Sequence, residues 1–124
     1  MTDPRQIADA YIDIWNTADP AGRQAKIAAL WTEDAQFADP VAQAAGRAEI
    51  AALIGTVRDT YPDMTFAVTG TPDGFGEMVR FGWSMAAPGT APVVRGTDIA
   101  TCRDGRIATV TGFFDLVPQG AVPA

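Results

Sequence analysis

The chain predicts an α+β fold: three helices first, then a long antiparallel sheet. Two observations carry this. Apolar residues recur with a period near 3.6 in three stretches before residue 60, and from Met64 onward the period becomes two. A third bounds the size, because 124 residues with 48% apolar content make one domain able to bury a core and still enclose a modest cavity.

The elements follow in chain order. Thr2 or Asp3 serves as an N-cap with Pro4 in the first turn, and Ile7, Tyr11, Ile14 and Trp15 then fall at i, i+4, i+7 and i+8, which predicts an amphipathic helix over 4–17. Asp19-Pro20 repeats the start signal, and Ile27, Leu30 and Trp31 form the buried stripe of a second helix that stops near Thr32 to Asp34. A short strand, Ala35 to Ala38, runs into Asp39-Pro40. After a loop of small residues, Ile50, Leu53, Ile54 and Val57 mark a third helix over 46–59, which ends ahead of Tyr61-Pro62 as the residue before a proline favours.

Met64, Phe66 and Val68 then alternate with smaller residues, and Pro72-Asp73-Gly74 supplies turn chemistry. A strand over 77–86 alternates Val79, Phe81, Trp83 and Met85 with Met78, Arg80, Gly82 and Ser84. Strands over 93–103 and 106–116 are joined by Asp104-Gly105, a strong two-residue hairpin signal. The segment 118–124, with Pro118 and Pro123, is expected to be a loose C-terminal tail beyond a single domain over 1–117.

Composition narrows the function classes. A net charge of −6 with no basic patch argues against nucleic acid or an anionic membrane as partner, and a neutral or weakly polar small molecule fits better. No stretch approaches the roughly 20 apolar residues of a membrane span, and the N-terminus has neither the basic start nor the apolar run of a signal peptide, so a cytoplasmic location is expected. The chain has no histidine, which removes imidazole as general base or metal ligand. Its single cysteine, Cys102, reads as a buried strand thiol. The clustered carboxylates Glu33, Asp34 and Asp39 match no calcium loop, and Gly74-Phe75-Gly76 leads into a strand rather than the helix N-terminus that holds phosphate. Neither a metal nor a cofactor is expected.

Acid–base chemistry therefore falls to Asp, Glu, Tyr or Lys. If Phe81, Trp83 and Met85 face the helices, strand parity turns Val94, Gly96, Asp98, Ala100 and Cys102 inward, together with Val110, Gly112 and Phe114. Asp98 then points into an apolar layer, where a carboxylate is either paired with a cation, Arg80 or Arg95, or held neutral by desolvation. Asp39 before proline is either a turn cap or a base. Tyr11 is either an ordinary core tyrosine or a proton donor. The opposite sheet face carries Thr97, Ile99, Thr101, Thr109, Thr111 and Phe113, a surface suited to a sheet-to-sheet homodimer.

Over nearly its whole length the chain resembles the nuclear transport factor 2-like superfamily, and within it the SnoaL-like polyketide cyclases and the ketosteroid isomerases. The resemblance is carried by Tyr11-Ile12-Asp13-Ile14-Trp15-Asn16, Leu30-Trp31-Thr32-Glu33-Asp34-Ala35, Asp39-Pro40-Val41, Gly46-Arg47-Ala48-Glu49-Ile50, and the closing hairpin from Asp104-Gly105-Arg106-Ile107 into Gly112-Phe113-Phe114. It implies a cone-shaped, cystatin-like α+β barrel, a curved antiparallel sheet with three N-terminal helices on its concave face. It further implies a cofactor-independent isomerase or cyclase in which Asp39 is the general base, and Tyr11 and Asp98 hydrogen-bond the oxygen of a carbonyl ligand.

The expected pocket wall is Trp15, Trp31, Phe37, Val41 and Ile54 from the first half of the chain. From the sheet it is Phe81, Trp83, Met85, Val110, Gly112 and Phe114. A related chemistry, epoxide hydrolysis by an Asp-Arg-Asp set, requires Arg80 to point inward, against its strand parity. The reading from another class is a non-catalytic ligand-binding or dimerisation domain.

Overall fold

Nine elements appear in the computed structural model, which describes residues 2–118. Helix α1 (Pro4–Trp15) starts at Asp3, whose side chain accepts from the backbone N–H of Arg5 and Gln6; helix α2 (Pro20–Leu30) starts at Asp19, which accepts from Gly22. Strand β1 (Trp31–Ala38) follows at once, and a short β2 (Gln43–Ala45) leads into helix α3 (Gly46–Thr60). The remaining strands are β3 (Thr65–Phe75), β4 (Met78–Ala86), β5 (Val94–Arg103) and β6 (Arg106–Leu116). The tail expected from 118 onward lies, from residue 119, outside the described residues.

The six strands form one sheet in the order β2-β1-β6-β5-β4-β3, antiparallel throughout except for the β1–β6 pair, which is parallel. Helix α1 crosses β3 and β4, and α3 lies on β1 and β2, so the helices cover one face of the curled sheet. The core between them is a run of buried aromatic and branched side chains that includes Tyr11, Ile14, Trp31, Ile54, Phe81 and Val110. Asn16 pins α1 to the sheet: its Nδ2 donates to the Phe66 carbonyl and its Oδ1 accepts the Phe66 N–H, both at 2.8 Å. The α+β class and the helix-covered curled sheet expected above are what the chain adopts.

Several boundaries differ. Helix α2 ends at Leu30, and Trp31 to Asp34 belong to β1, because Trp31 takes an extended backbone and pairs with Ile107 on β6. Helix α1 ends at Trp15 rather than 17. Pro72-Asp73-Gly74 makes no reversal: β3 runs through it to Phe75, with a register break between Thr69 and Asp73, and the chain turns at Gly76-Glu77. β3 is the outermost strand, where a proline costs no ladder bond. The Asp104-Gly105 hairpin forms as expected, with positive φ at both residues (54° and 79°).

The face away from the helices carries Thr97, Ile99, Thr101, Thr109, Thr111 and Phe113, the last 52% exposed. Among the described residues no helix is long and apolar enough to cross a membrane.

Candidate functional site

Register builds the site. β5 and β6 pair Asp98 with Gly112, β4 and β5 pair Phe81 with Asp98, and the parallel β1–β6 pairing sets Phe37 beside Val110 and Ala38 beside Thr111. The next residue of the β1 chain, Asp39, therefore arrives beside Gly112. A Cβ on Gly112 would stand 2.8 Å from Asp98 Oδ1 and 3.3 Å from the Asp39 Cβ. Only the bare backbone of glycine lets the two aspartates flank it this closely.

Asp98 is 4% exposed. Its partner is neither Arg80 nor Arg95: Trp83 Nε1 donates to Asp98 Oδ1 at 2.8 Å, while Arg80 lies outside, ion-paired with Asp73 at 2.7 Å. Glycine makes this bond reachable as well, since a Cβ on Gly96, the cross-strand partner of Trp83, would overlap the indole ring. Burial pushes the Asp98 carboxyl up from 3.8 to about 6; the Trp83 N–H and the nearby Tyr11 hydroxyl oppose the rise, and the charge of Asp39 adds to it.

Tyr11, 2% exposed, projects from α1 into an aromatic cluster, with ring centroids 5.3 Å from Phe81, 5.8 Å from Trp31 and 6.2 Å from Trp15. Burial, reinforced by the charge of Asp98, holds its hydroxyl well above the usual value, so it is a neutral donor at every physiological pH. The Trp15 indole N–H approaches the Tyr11 oxygen closely enough to favour its anion, yet closes no full hydrogen bond.

Asp39 caps a turn and also borders the cavity. Its Oδ1 accepts the backbone N–H of Val41 at 2.9 Å and of Ala42 at 2.8 Å, which caps the turn after β1, and the same carboxyl borders the cavity. Burial raises its pKa above 3.8, and the two backbone N–H groups oppose that rise.

Tyr11, Asp39 and Asp98 border one cavity of about 380 Å³, at the lower end of ligand-sized pockets. Of the expected wall, Trp15, Phe37, Val41, Trp83, Met85 and Phe114 line it. Trp31, Ile54, Phe81 and Val110 do not: at 0–2% exposure they are packed behind the wall and support it. Gly112 contributes spacing rather than surface. The lining also includes Leu53, Val57 and Phe66, whose apolar periodicity was visible but whose share in a cavity was not, and Ile12, which lies off the first helix's stripe. Ala42, Tyr61, Val93, Val94, Val117 and Pro118 complete it, and no lysine or arginine is among the described residues that border it. No cluster of three or more carboxylate or thiol groups forms among the described residues.

A comparison with known families matches residues 8–110 to the SnoaL-like domain. The chain belongs to the SnoaL-like domain family. A crystal structure of a SnoaL-like family protein from Agrobacterium tumefaciens, provisionally assigned as an isomerase, is 37% identical; the match covers 93% of this chain and 99% of that one, with a TM-score of 0.88. Two more distant structures share the fold. One is a provisionally assigned ketosteroid isomerase from Kribbella flavida (22% identity, 98% and 82% covered, TM-score 0.68). The other is IdmH, a provisionally assigned polyketide cyclase from Streptomyces antibioticus (18% identity, 91% and 92% covered, TM-score 0.71). No curated protein matches this SnoaL-like domain.

Proposed function

We propose that the chain is a cofactor-independent isomerase or cyclase that moves a proton next to the carbonyl of a small, largely apolar ligand. The observation that carries this reading is the convergence of two unlike carboxyl groups and a neutral phenol on one apolar cavity. Two backbone N–H groups hydrogen-bond the Asp39 carboxylate and oppose the rise that burial causes, which suits it to act as the base that removes the α-proton. Asp98, raised to about 6, carries a proton in a fraction of molecules that falls as pH rises through that value, and in that form it donates a hydrogen bond, with Tyr11, to the enolate oxygen that develops. The proton on Asp39 then returns to a different carbon of the dienolate or enolate.

The threonine-rich outer face of β5 and β6 would join two copies of the chain. A non-catalytic ligand-binding domain is the competing reading, and it needs no difference between the two carboxyls.

A phenol tests the arrangement directly, because its oxygen imitates an enolate. In a crystal of the complex with 2-naphthol, the ligand oxygen should lie within hydrogen-bonding distance of both Tyr11 and Asp98, and Tyr11→Phe should weaken binding about tenfold, the weight of one lost charge-assisted hydrogen bond. A naphthol turned the other way, with its oxygen at the mouth, would contradict the assignment of Tyr11 and Asp98 as donors.

A further inference from the structure

We propose that the same cavity selects its ligands by charge, and that the class it holds most tightly is a lipophilic amine in its protonated form. This goes beyond the proton-transfer reading and does not depend on turnover. Its basis is an imbalance in the lining. Asp39 and Asp98 both border the cavity, and no lysine or arginine among the described residues does. Asp98 is met by an indole and Asp39 by backbone N–H groups, so neither is answered by a positive charge. Arg58 is outside the lining: its guanidinium sits over the Phe66 ring, 5.4 Å from the centroid, and donates to the Tyr61 carbonyl.

Aromatic faces complete the enclosure. Trp15, Trp83, Phe37, Phe66 and Phe114 line the cavity, stepping from ring to ring at centroid spacings of 5.4 to 6.2 Å. Two carboxylates in an apolar cavity lined by these aromatic rings and by no cation among the described residues are the recognition chemistry of an organic ammonium. An ammonium seated beside Gly112 neutralises both aspartates at once, while its hydrocarbon body fills the apolar remainder. An anion meets the reverse: it loses its hydration and gains two repulsive neighbours. Carboxylates and phosphates are therefore disfavoured as ligands.

A three-member series on one ring system tests this by calorimetry: 2-(2-naphthyl)ethylamine, 2-acetonaphthone and 2-naphthylacetate. The measurement is made near pH 8, above the about 6 of Asp98 and below the ~10 of an alkyl amine. The amine should bind at least about tenfold more tightly than the ketone, as expected for one charge-assisted contact, and the carboxylate should bind most weakly. Asp98→Asn and Asp39→Asn should each shrink the amine's advantage without weakening the ketone by as much. Asp39 is only partly buried, so its variant keeps the test open if the buried one fails to fold.

Binding of the ketone as tight as that of the amine overturns the proposal and leaves the proton-transfer reading standing. Tightest binding by the carboxylate also overturns the proposal, and leaves the donor roles of Tyr11 and Asp98 standing. An amine preference that survives in both Asn variants also overturns the proposal, since the attraction would then lie elsewhere.

Discussion

Asp98→Asn should make the protein more stable at pH 8 while removing the donor proposed for the site. The carboxyl lies in an apolar layer at 4% exposure, and its pKa stands at about 6 against an ordinary 3.8. At about 1.4 kcal/mol per pKa unit, that gap means the charged form costs the folded state ~3 kcal/mol. Between 3.8 and about 6 the folded protein binds the proton and the unfolded chain does not. The cost is thus fully present above about 6, declines as pH falls, and is gone below the unfolded value.

Asparagine is never charged and still offers Trp83 an amide oxygen at the Oδ1 position. Urea unfolding of the two proteins should therefore show the Asn variant ahead by up to ~3 kcal/mol at pH 8 and by about 1 kcal/mol at pH 4.5. Other titrating groups are common to both proteins, so the pH dependence of the difference isolates Asp98. A difference that is the same at both pH values, or a variant that is less stable by a pH-independent amount, would refute the picture of a charged carboxyl held at a cost in a closed apolar layer.

Other outcomes follow from the same geometry. Proton transfer measured as kcat/KM should fall as pH rises through about 6, where Asp98 loses its proton, and should fall on the acid side as Asp39, raised by burial, is protonated; a profile flat through about 6 would deny the Asp98 role. Gly112→Ala puts a methyl group 2.8 Å from Asp98 Oδ1 and 3.3 Å from the Asp39 Cβ. It should cost about 1–3 kcal/mol of stability and depress activity by far more than circular dichroism reveals; wild-type turnover would mean that the spacing of the two aspartates is immaterial. Phe113→Lys, on the exposed sheet face, should abolish the proposed dimer in sedimentation without changing the fold, and a mass equal to that of the wild type would contradict the proposed interface.

Local signals made most of the fold legible. Asp3 and Asp19 announce the first two helices because a capping carboxylate and a following proline act within three residues, and Asp104-Gly105 announces its hairpin for the same reason. What escaped depends on distant partners. Trp31 extends the 3.6-residue stripe of Ile27 and Leu30, yet it is a strand residue, because its pairing with Ile107 lies far along the chain. Pro72-Asp73-Gly74 has turn composition, but an outer strand absorbs it as an irregularity.

The site was legible as residues and not as contacts. Strand parity is enough to turn Asp98 inward. Parity does not show that Trp83 crosses over Gly96 to reach it, nor that Gly112 is the spacer between two aspartates, because both depend on ring placement across strands. Trp31, Ile54, Phe81 and Val110 were expected on the wall and are one layer deeper, a distinction that apolar periodicity does not encode.

The most direct test of the central claim, that Asp39 moves a proton next to a carbonyl bound in this cavity, is hydrogen–deuterium exchange at the α-carbons of 2-tetralone in deuterated buffer, followed by proton NMR. The wild type should exchange these positions well above the buffer rate, and Asp39→Asn should exchange them about 10² to 10⁴ times more slowly while binding the ketone with similar affinity. Exchange at the buffer rate in the wild type, or undiminished exchange in Asp39→Asn, would contradict it.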